Sequence, residues 1–191
     1  MPRRPPNPDQ TGNLFPMSAR AKALFSFPDP VNDVAARVVA GTVVLLAVIA
    51  IVLGEQWLLV AIAYGFWARV LTGPTLSPVG QLATRVVAPR LGPPRLVPGP
   101  PKRFAQAMGV TFSTAAVVLW FGFGDHLEAW LVMVALVGAA SLEAFAGYCL
   151  GCRIFASLMK WGLIPESVCE ACADLTRRHP DLAGEATKPA A

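Results

Sequence analysis

The chain has few charged residues and several long stretches with none. Only 15% of its 191 residues are Asp, Glu, Lys or Arg, whereas 54% are hydrophobic. Soluble proteins average about 25% charged residues, so this composition excludes an ordinary soluble domain. The sequence also lacks the G-x-S-x-G, H-E-x-x-H and glycine-rich phosphate-loop motifs, which argues against the hydrolase and nucleotide-binding classes that they mark.

Four apolar runs account for the excess of hydrophobic residues, and each predicts a transmembrane helix. They are Val34–Leu53, Gln56–Val70, Phe104–Phe123 and Leu127–Tyr148. Crossing the ~30 Å hydrocarbon core of a bilayer takes about 20 helical residues. The second run is shorter and requires a snorkelling Arg69 or local thinning of the bilayer to cross. Three spans with one re-entrant segment is the alternative.

Basic residues are absent from two of the three connections between these runs. The sixteen Lys and Arg residues lie before or at the start of the first run, around the middle connection and after the fourth run. Segments rich in Lys and Arg stay in the cytoplasm. We therefore expect both termini in the cytoplasm, and we interpret the net charge of +4 as a topology signal and a contact with the lipid bilayer rather than as nucleic-acid binding.

These features predict an all-α integral membrane protein in three parts. Residues 1–30 are rich in proline and polar residues and predict a disordered cytoplasmic tail. Residues 31–164 form the four-span membrane domain, whose first helix Asn32 or Asp33 can cap. Residues 165–191 form a cytoplasmic short helix and tail that carry cysteines. Together with the helix that continues after Tyr148, this short helix makes a cytoplasmic helical hairpin.

The middle connection contains an apolar stripe at helical spacing. Its members are Leu76, Val79, Leu82 and Val86. This pattern predicts a short amphipathic helix in the inner headgroup layer, between the second and third spans. We expect Pro89 to end this helix, and the prolines up to Pro101 to form a stiff extended tether.

Cysteine is scarce and occurs only in two C-x2-C pairs after the last apolar run. The pairs are Cys149 with Cys152 and Cys169 with Cys172. Two such pairs supply the four thiolates of a zinc site. Alternatively, Cys149 and Cys152 lie on one helical face beside Arg153, a cation that favours the reactive thiolate. A third interpretation is that all four thiols only pack between helix ends.

The predicted topology separates these alternatives in part. Thiols on the cytoplasmic side are kept reduced, which argues against a structural disulfide framework and against a quinone-linked disulfide-forming oxidase. A zinc site meets a geometric difficulty, because a straight helix sets Cys152 farther than Cys169 from the hinge at Gly162–Pro165. We therefore favour thiol redox or sulfur handling at Cys149 and Cys152, with Cys169 and Cys172 as a candidate second pair. The alternative is a zinc-stabilised membrane scaffold without catalysis, in which all four cysteines bind the metal. The expected partner is a cytosolic thioredoxin-like or sulfur-carrier protein.

Several motifs together resemble a bacterial membrane-protein family called domain of unknown function 4395. The resemblance covers about residues 28–172 and is most specific around the cysteines, in Ser141–Cys152, Gly162–Pro165 and Val168–Cys172. Shorter matches occur at Asp29–Asn32, Gly73–Pro78 and Pro101–Phe104. The resemblance implies a small multi-pass protein of a bacterial inner membrane, and it supplies no activity.

One acidic residue, Glu143, lies inside the fourth apolar run. Ionisable groups at such depth are energetically expensive and are usually paired. Arg69, near the same predicted border of the membrane, is the expected partner. The pair is interpreted first as a tie between two helices, and second as part of a proton or ion pathway.

Overall fold

Helices make up most of residues 27–164, the part of the chain that this computed structural model describes. In chain order they are α1 (Asp33–Leu53), α2 (Trp57–Thr72), α3 (Pro78–Leu82), α4 (Ala88–Leu91), α5 (Gly99–Val118), α6 (His126–Ala146) and α7 (Leu150–Lys160). One π-helical turn joins α3 to α4, and a second one continues α5, at Ala83–Val87 and Leu119–Phe123. The predicted cysteine-containing segment 165–191 and most of the predicted tail lie outside the described residues.

Three helices are long and apolar enough to cross a membrane. They cover Asp33–Leu53, Gly99–Phe123 and His126–Ala146. The helix α2 is apolar but has only 16 residues, which gives a length of about 24 Å at 1.5 Å per residue. The structure therefore confirms a mostly helical fold with membrane-length helices, at the positions of the first, third and fourth apolar runs.

The long helices pack so that neighbours in the bundle run in opposite directions. The helix α1 packs along α6, α2 packs along α5, and α5 also contacts α6 and α7. The shared core consists of Val43, Ala47, Leu59, Ile62, Phe66, Ala116, Met133 and Leu136. Many large apolar side chains point away from this core, among them Val52, Trp57 and Phe145 at 75%, 67% and 76% exposure. Such an apolar outer surface suits contact with lipid.

The start of α1 is fixed by a side-chain cap and by a short strand pair. The Asn32 side chain accepts a hydrogen bond from the Val34 amide at 3.0 Å, which confirms the predicted N-cap. The strand β1 (Val31–Asn32) pairs antiparallel with β2 (Leu96–Val97). Because β2 immediately precedes α5, this pairing brings the starts of α1 and α5 together.

The middle connection contains helices, as predicted, but three of its prolines act differently from the expectation. Pro89 lies directly after the π-helical turn, and the helix continues past it to Leu91. The wider turn, in which the Ala88 amide donates to the carbonyl of Ala83, accommodates a residue that lacks an amide hydrogen. Pro100 and Pro101 lie in the first turn of α5, where the amides have no intrahelical acceptor and proline is tolerated. The predicted tether therefore ends at Pro98. Leu82 and Val86 are exposed, as expected of an interfacial apolar stripe.

The helix predicted to continue through Tyr148 is instead interrupted. The helix α6 ends at Ala146, and Gly147 follows in the left-handed conformation with φ of 65°, which glycine adopts at low cost. The side chain of Arg37 donates to the carbonyl oxygens of Ala144 and Phe145 at 3.2–3.3 Å. A cation at this position also complements the negative end of the helix dipole.

The following helix, α7, lies against α5 at a very short distance. A Cβ atom added to Gly151 would lie 2.6 Å from both Cα and Cβ of Ala105. The obstruction includes backbone, so no side-chain rotation can relieve it. Glycine at this position therefore sets how closely α7 approaches α5.

We predict that Gly151→Ala destabilises the protein although alanine is the better helix former. The overpacking should lower the free energy of unfolding by about 1–3 kcal/mol, and thermal unfolding in detergent measures it. Gly138→Ala in α6 is the matched control, because a Cβ there meets nothing within 4 Å. Equal melting temperatures for the two variants would contradict the proposed close approach.

Candidate functional site

Cys149 occupies the N-cap position of α7, so the first C-x2-C pair lies at the start of a helix. The backbone at Cys149 is extended, and its sulfur accepts a hydrogen bond from the Cys152 amide at 3.4 Å. The two sulfur atoms lie 2.6 Å apart, and both side chains are half-buried. The pair was expected on one face of a continuous helix; the break at Gly147 places Cys149 at a helix terminus instead.

The pKa values of the two thiols are shifted in opposite directions. The hydrogen bond that the Cys152 thiol donates is the largest effect lowering the pKa of Cys149, and the Cys152 amide and Lys102 lower it further. The same hydrogen bond is the largest effect raising the pKa of Cys152, and burial adds to it. These shifts favour the thiolate at Cys149 and the protonated thiol at Cys152.

The cation that acts on the pair is Lys102 rather than Arg153. The guanidinium of Arg153 lies over the ring of Tyr148, with Cζ 5.2 Å from the ring centroid. Lys102 lowers the pKa of Cys149, whereas Glu143 and burial raise it. The expectation that Arg153 supplies the charge beside Cys149 is therefore replaced by a buried lysine from α5.

Lys102 bridges two carboxylates from different helices. Its Nζ lies 2.7 Å from Oδ1 of Asp33 in α1 and 2.8 Å from Oε1 of Glu143 in α6. The side-chain exposures are 7% for Lys102, 20% for Asp33 and 15% for Glu143. The expected ion pair between Glu143 and Arg69 is thus replaced, because the first turn of α5 brings a lysine directly to Glu143. The interpretation of Glu143 as a tie between helices holds with this different partner.

Arg69 lies at the same end of the bundle with a separate set of contacts. Its Nε donates to Oε1 of Gln106 at 2.9 Å, its Nη1 donates to Oγ of Ser77 at 3.4 Å, and its Cζ lies 4.6 Å from the centroid of Phe66. Within residues 27–164, its buried Nη2 has no hydrogen-bond partner. Arg69 is buried at 6% exposure, so this donor is cut off from bulk water.

Two cavities adjoin these charged residues. The smaller, about 60 Å³, is lined by Cys149, Gln106 and Glu143 together with apolar residues of α5 and α6. The larger, about 250 Å³, is lined by Arg69, Lys102 and Gln106 together with mainly apolar residues. Gln106 borders both cavities. Gln106 is therefore shared by the cavity at Cys149 and the cavity at Arg69.

The second C-x2-C pair, Cys169 with Cys172, lies outside the described residues, so the four-thiolate zinc site stays a prediction. Among residues 27–164, no three His, Cys, Asp or Glu side chains are close enough together to hold a metal ion. Cys149 and Cys152 alone supply two ligands, whereas a structural zinc ion takes four.

Fold and site together define a helical protein with membrane-length helices and a C-x2-C pair at a helix N-terminus. The family model described as Domain of unknown function (DUF4395) matches residues 31–160, which is more than half of the chain. The chain therefore belongs to this family, as its sequence motifs indicated. No curated protein and no solved structure matches the chain.

Sequence reasoning missed the central role of Lys102 because it treated the residues up to Pro101 as an extended tether and Lys102 as one of the basic residues of the middle connection. A signal was present: consecutive prolines followed by an apolar run are typical of a helix N-terminus as well as of a linker. Extending the third helix back to Gly99 would have placed Lys102 in its first turn. The role of Arg37 had no comparable signal, because it depends on where α6 ends.

We predict that two neutral substitutions shift the reactivity of Cys149 in opposite directions. Lys102→Met removes a charge that lowers the pKa of Cys149, whereas Glu143→Gln removes one that raises it. The pH at which alkylation of Cys149 reaches half its maximal rate should therefore rise in the first variant and fall in the second. Rates with iodoacetamide between pH 5 and about 9 measure this.

We predict that Lys102→Met also destabilises the protein, because it breaks the buried bridge to Asp33 and Glu143. Lys102→Met leaves two carboxylates without their cation and should lower the free energy of unfolding by about 3–5 kcal/mol. Arg85→Met, in an exposed position of the middle connection, is the matched control and should leave stability nearly unchanged. Shifts of the same sign in the pKa of Cys149, or a Lys102→Met variant as stable as Arg85→Met, would contradict this arrangement.

Proposed function

We propose that the protein is a membrane-embedded thiol-disulfide exchange protein whose working pair is Cys149 and Cys152. The observation that carries this proposal is the placement of Cys149 at the N-cap of α7 with the thiol and amide of Cys152 both directed at its sulfur. A helix N-terminus stabilises a thiolate. The second thiol, 2.6 Å away, is positioned to form a disulfide with the first.

The proposed exchange proceeds through Cys149. Its thiolate attacks the disulfide of an oxidised thioredoxin-like protein, so that a mixed disulfide forms and one partner sulfur leaves as a thiolate. Cys152 then loses its proton and attacks the sulfur of Cys149, which expels the second partner sulfur. Two thiols of this chain are oxidised to a disulfide and one partner disulfide is reduced to two thiols. In the reverse direction the pair accepts two electrons from a reduced dithiol partner.

The membrane arrangement that we propose has four spans. The starts of α1 and α5 and the ends of α2 and α6 meet at one end of the bundle, as the contacts of Lys102 with Asp33 and Glu143 and of Arg69 with Gln106 require. With the basic residues on the cytoplasmic side, this end and the thiol pair face the cytoplasm of a bacterial inner membrane. The short α2 then crosses with its apolar surface in a locally thinned bilayer.

We predict that reporter fusions distinguish this topology from the alternatives. Fusions after Glu55 or Asp125 should report the periplasm, and fusions after Pro94 or Ala191 should report the cytoplasm. The basis is that the connections containing Glu55 and Asp125 have no Lys or Arg, whereas segments rich in these residues stay in the cytoplasm. A periplasmic reading after Pro94 would place the thiol pair on the oxidising side and would remove the cytosolic partner from the proposal.

We predict that Cys152→Ser traps a mixed disulfide with a thioredoxin-like protein. The variant keeps the reactive thiol but cannot resolve the intermediate, so non-reducing electrophoresis after rapid acid quenching should show a shifted band that a reductant removes. Cys149→Ser should give roughly tenfold less, because Cys152, the remaining thiol of the pair, lacks the N-cap position of Cys149 and burial still raises its pKa.

A variant with both Cys169→Ser and Cys172→Ser is the control that separates this proposal from a zinc module. Under the exchange proposal, the purified protein is free of metal and the control retains a reactive Cys149. The zinc-stabilised scaffold would be supported instead by about one zinc ion per purified chain, if the control variant loses both this zinc and the faster reaction of Cys149 relative to Cys152. Trapping that is equal in Cys149→Ser and Cys152→Ser would overturn the assigned roles.

A further inference from the structure

The larger cavity combines apolar walls with one buried cationic donor that lacks an acceptor. It lies between α1, the end of α2, the interfacial helices and the start of α5, with residues 27–32 on one side. Its volume is about 250 Å³, near the lower end of the roughly 300–1,000 Å³ of small-molecule sites. The walls include Ala36 and Val39 from α1 and Pro74 and Gly80 from the middle connection.

The donor is Nη2 of Arg69, which has no hydrogen-bond partner within residues 27–164. The rest of the guanidinium is held in place by Gln106, Ser77 and the ring of Phe66. Leaving a buried charged donor unpaired costs more than the ~1–3 kcal/mol of a neutral one. Arg69 lines the cavity and its Nη2 is buried in the surrounding protein, so a small movement of the guanidinium would bring this donor to an acceptor that enters the cavity from outside.

The charge balance around the cavity decides which kind of acceptor fits. Arg69 and Lys102 are its only charged lining residues in the described part of the chain. Lys102 is held by two carboxylates, Asp33 and Glu143, and Glu143 also attracts Arg69 through space. Two cations and two anions balance without a ligand. An added anion would leave an uncompensated charge in a low-dielectric region, which is costly.

We propose that this cavity binds a membrane-soluble molecule with an apolar body and an uncharged carbonyl group, whose oxygen accepts a hydrogen bond from Nη2 of Arg69. The apolar walls accommodate the body, and a neutral carbonyl satisfies the donor without disturbing the charge balance. A quinone ring and an acyl ester both present this chemistry. The proposal depends on the cavity and not on the cysteines, so it stands or falls separately from thiol exchange.

The test measures binding to the purified full-length protein in maltoside micelles, whose detergent carries no carbonyl group. Calorimetric titration would use decylubiquinone and dioctanoylglycerol as the two carbonyl probes, with decanol lacking the carbonyl and decanoate supplying an anion. We expect saturable binding of at least one carbonyl probe and none of decanol. Which carbonyl probe binds more tightly identifies a quinone or an ester as the ligand type.

Variants assign the binding to this cavity. Arg69→Met should weaken binding of the carbonyl probe by about tenfold or more, the loss of a hydrogen bond to a charged group, and Arg69→Lys should weaken it less. Ala36→Phe, which fills the cavity and keeps Arg69, should abolish it. Arg85→Met is the matched control and should bind as the unchanged protein does, as should a variant with Cys149→Ser and Cys152→Ser.

Three results would overturn the proposal. Tighter, Arg69-dependent binding of decanoate would identify an anion site. Binding unaffected by Ala36→Phe would show partition into the micelle or another site. No binding of any probe to a protein that unfolds cooperatively would indicate that water alone satisfies Arg69. Absence of binding together with an active thiol pair would overturn the cavity proposal and leave the exchange proposal intact. Inert thiols together with normal binding would overturn the exchange proposal and leave the cavity proposal intact.

Discussion

The buried bridge from Lys102 to Asp33 and Glu143 is the interaction on which the rest of the structure depends. It joins the first turns of α1 and α5 to the last part of α6, at 2.7 and 2.8 Å. Three charges at such depth are tolerated only because each has a close partner. The bridge thereby holds the last part of α6 against the starts of α1 and α5, and beyond it Gly147 turns the chain and Cys149 starts α7. The electrostatics of the thiol pair depend on the same residues, since Lys102 and Glu143 act on Cys149 in opposite directions.

Patterns that depend on local chemistry were predictable from the sequence. Hydrophobic run lengths gave the three membrane-length helices, Asn32 gave the cap of α1, and the motifs around the cysteines gave the family. The partner of Glu143 was not predictable in the same way. Arg69 and Lys102 both lie near the same border, and the choice between them depends on how the start of α5 lies against α6 and the start of α1. Such a choice is made by tertiary geometry, which periodicity does not encode.

The cysteine site was likewise predictable from the sequence only in part. Spacing alone predicted that Cys149 and Cys152 lie close together, and their sulfurs are 2.6 Å apart. The opposite pKa shifts of the two thiols come mainly from the hydrogen bond between them, and the break after Ala146 makes Cys149 an N-cap that also accepts from the Cys152 amide. Gly151 between them allows α7 to approach Ala105 of α5. A residue that sequence reasoning treats as a spacer within C-x2-C therefore positions the pair against the bundle.

The most direct test of thiol exchange is the redox state of the pair in native membranes. Membranes are equilibrated with oxidised thioredoxin, or with thioredoxin kept reduced by its reductase and NADPH, and free thiols are then alkylated and counted by mass spectrometry. The account predicts that Cys149 and Cys152 change together, from a disulfide in the first condition to two alkylated thiols in the second. Two thiols that stay reduced in both conditions would contradict it.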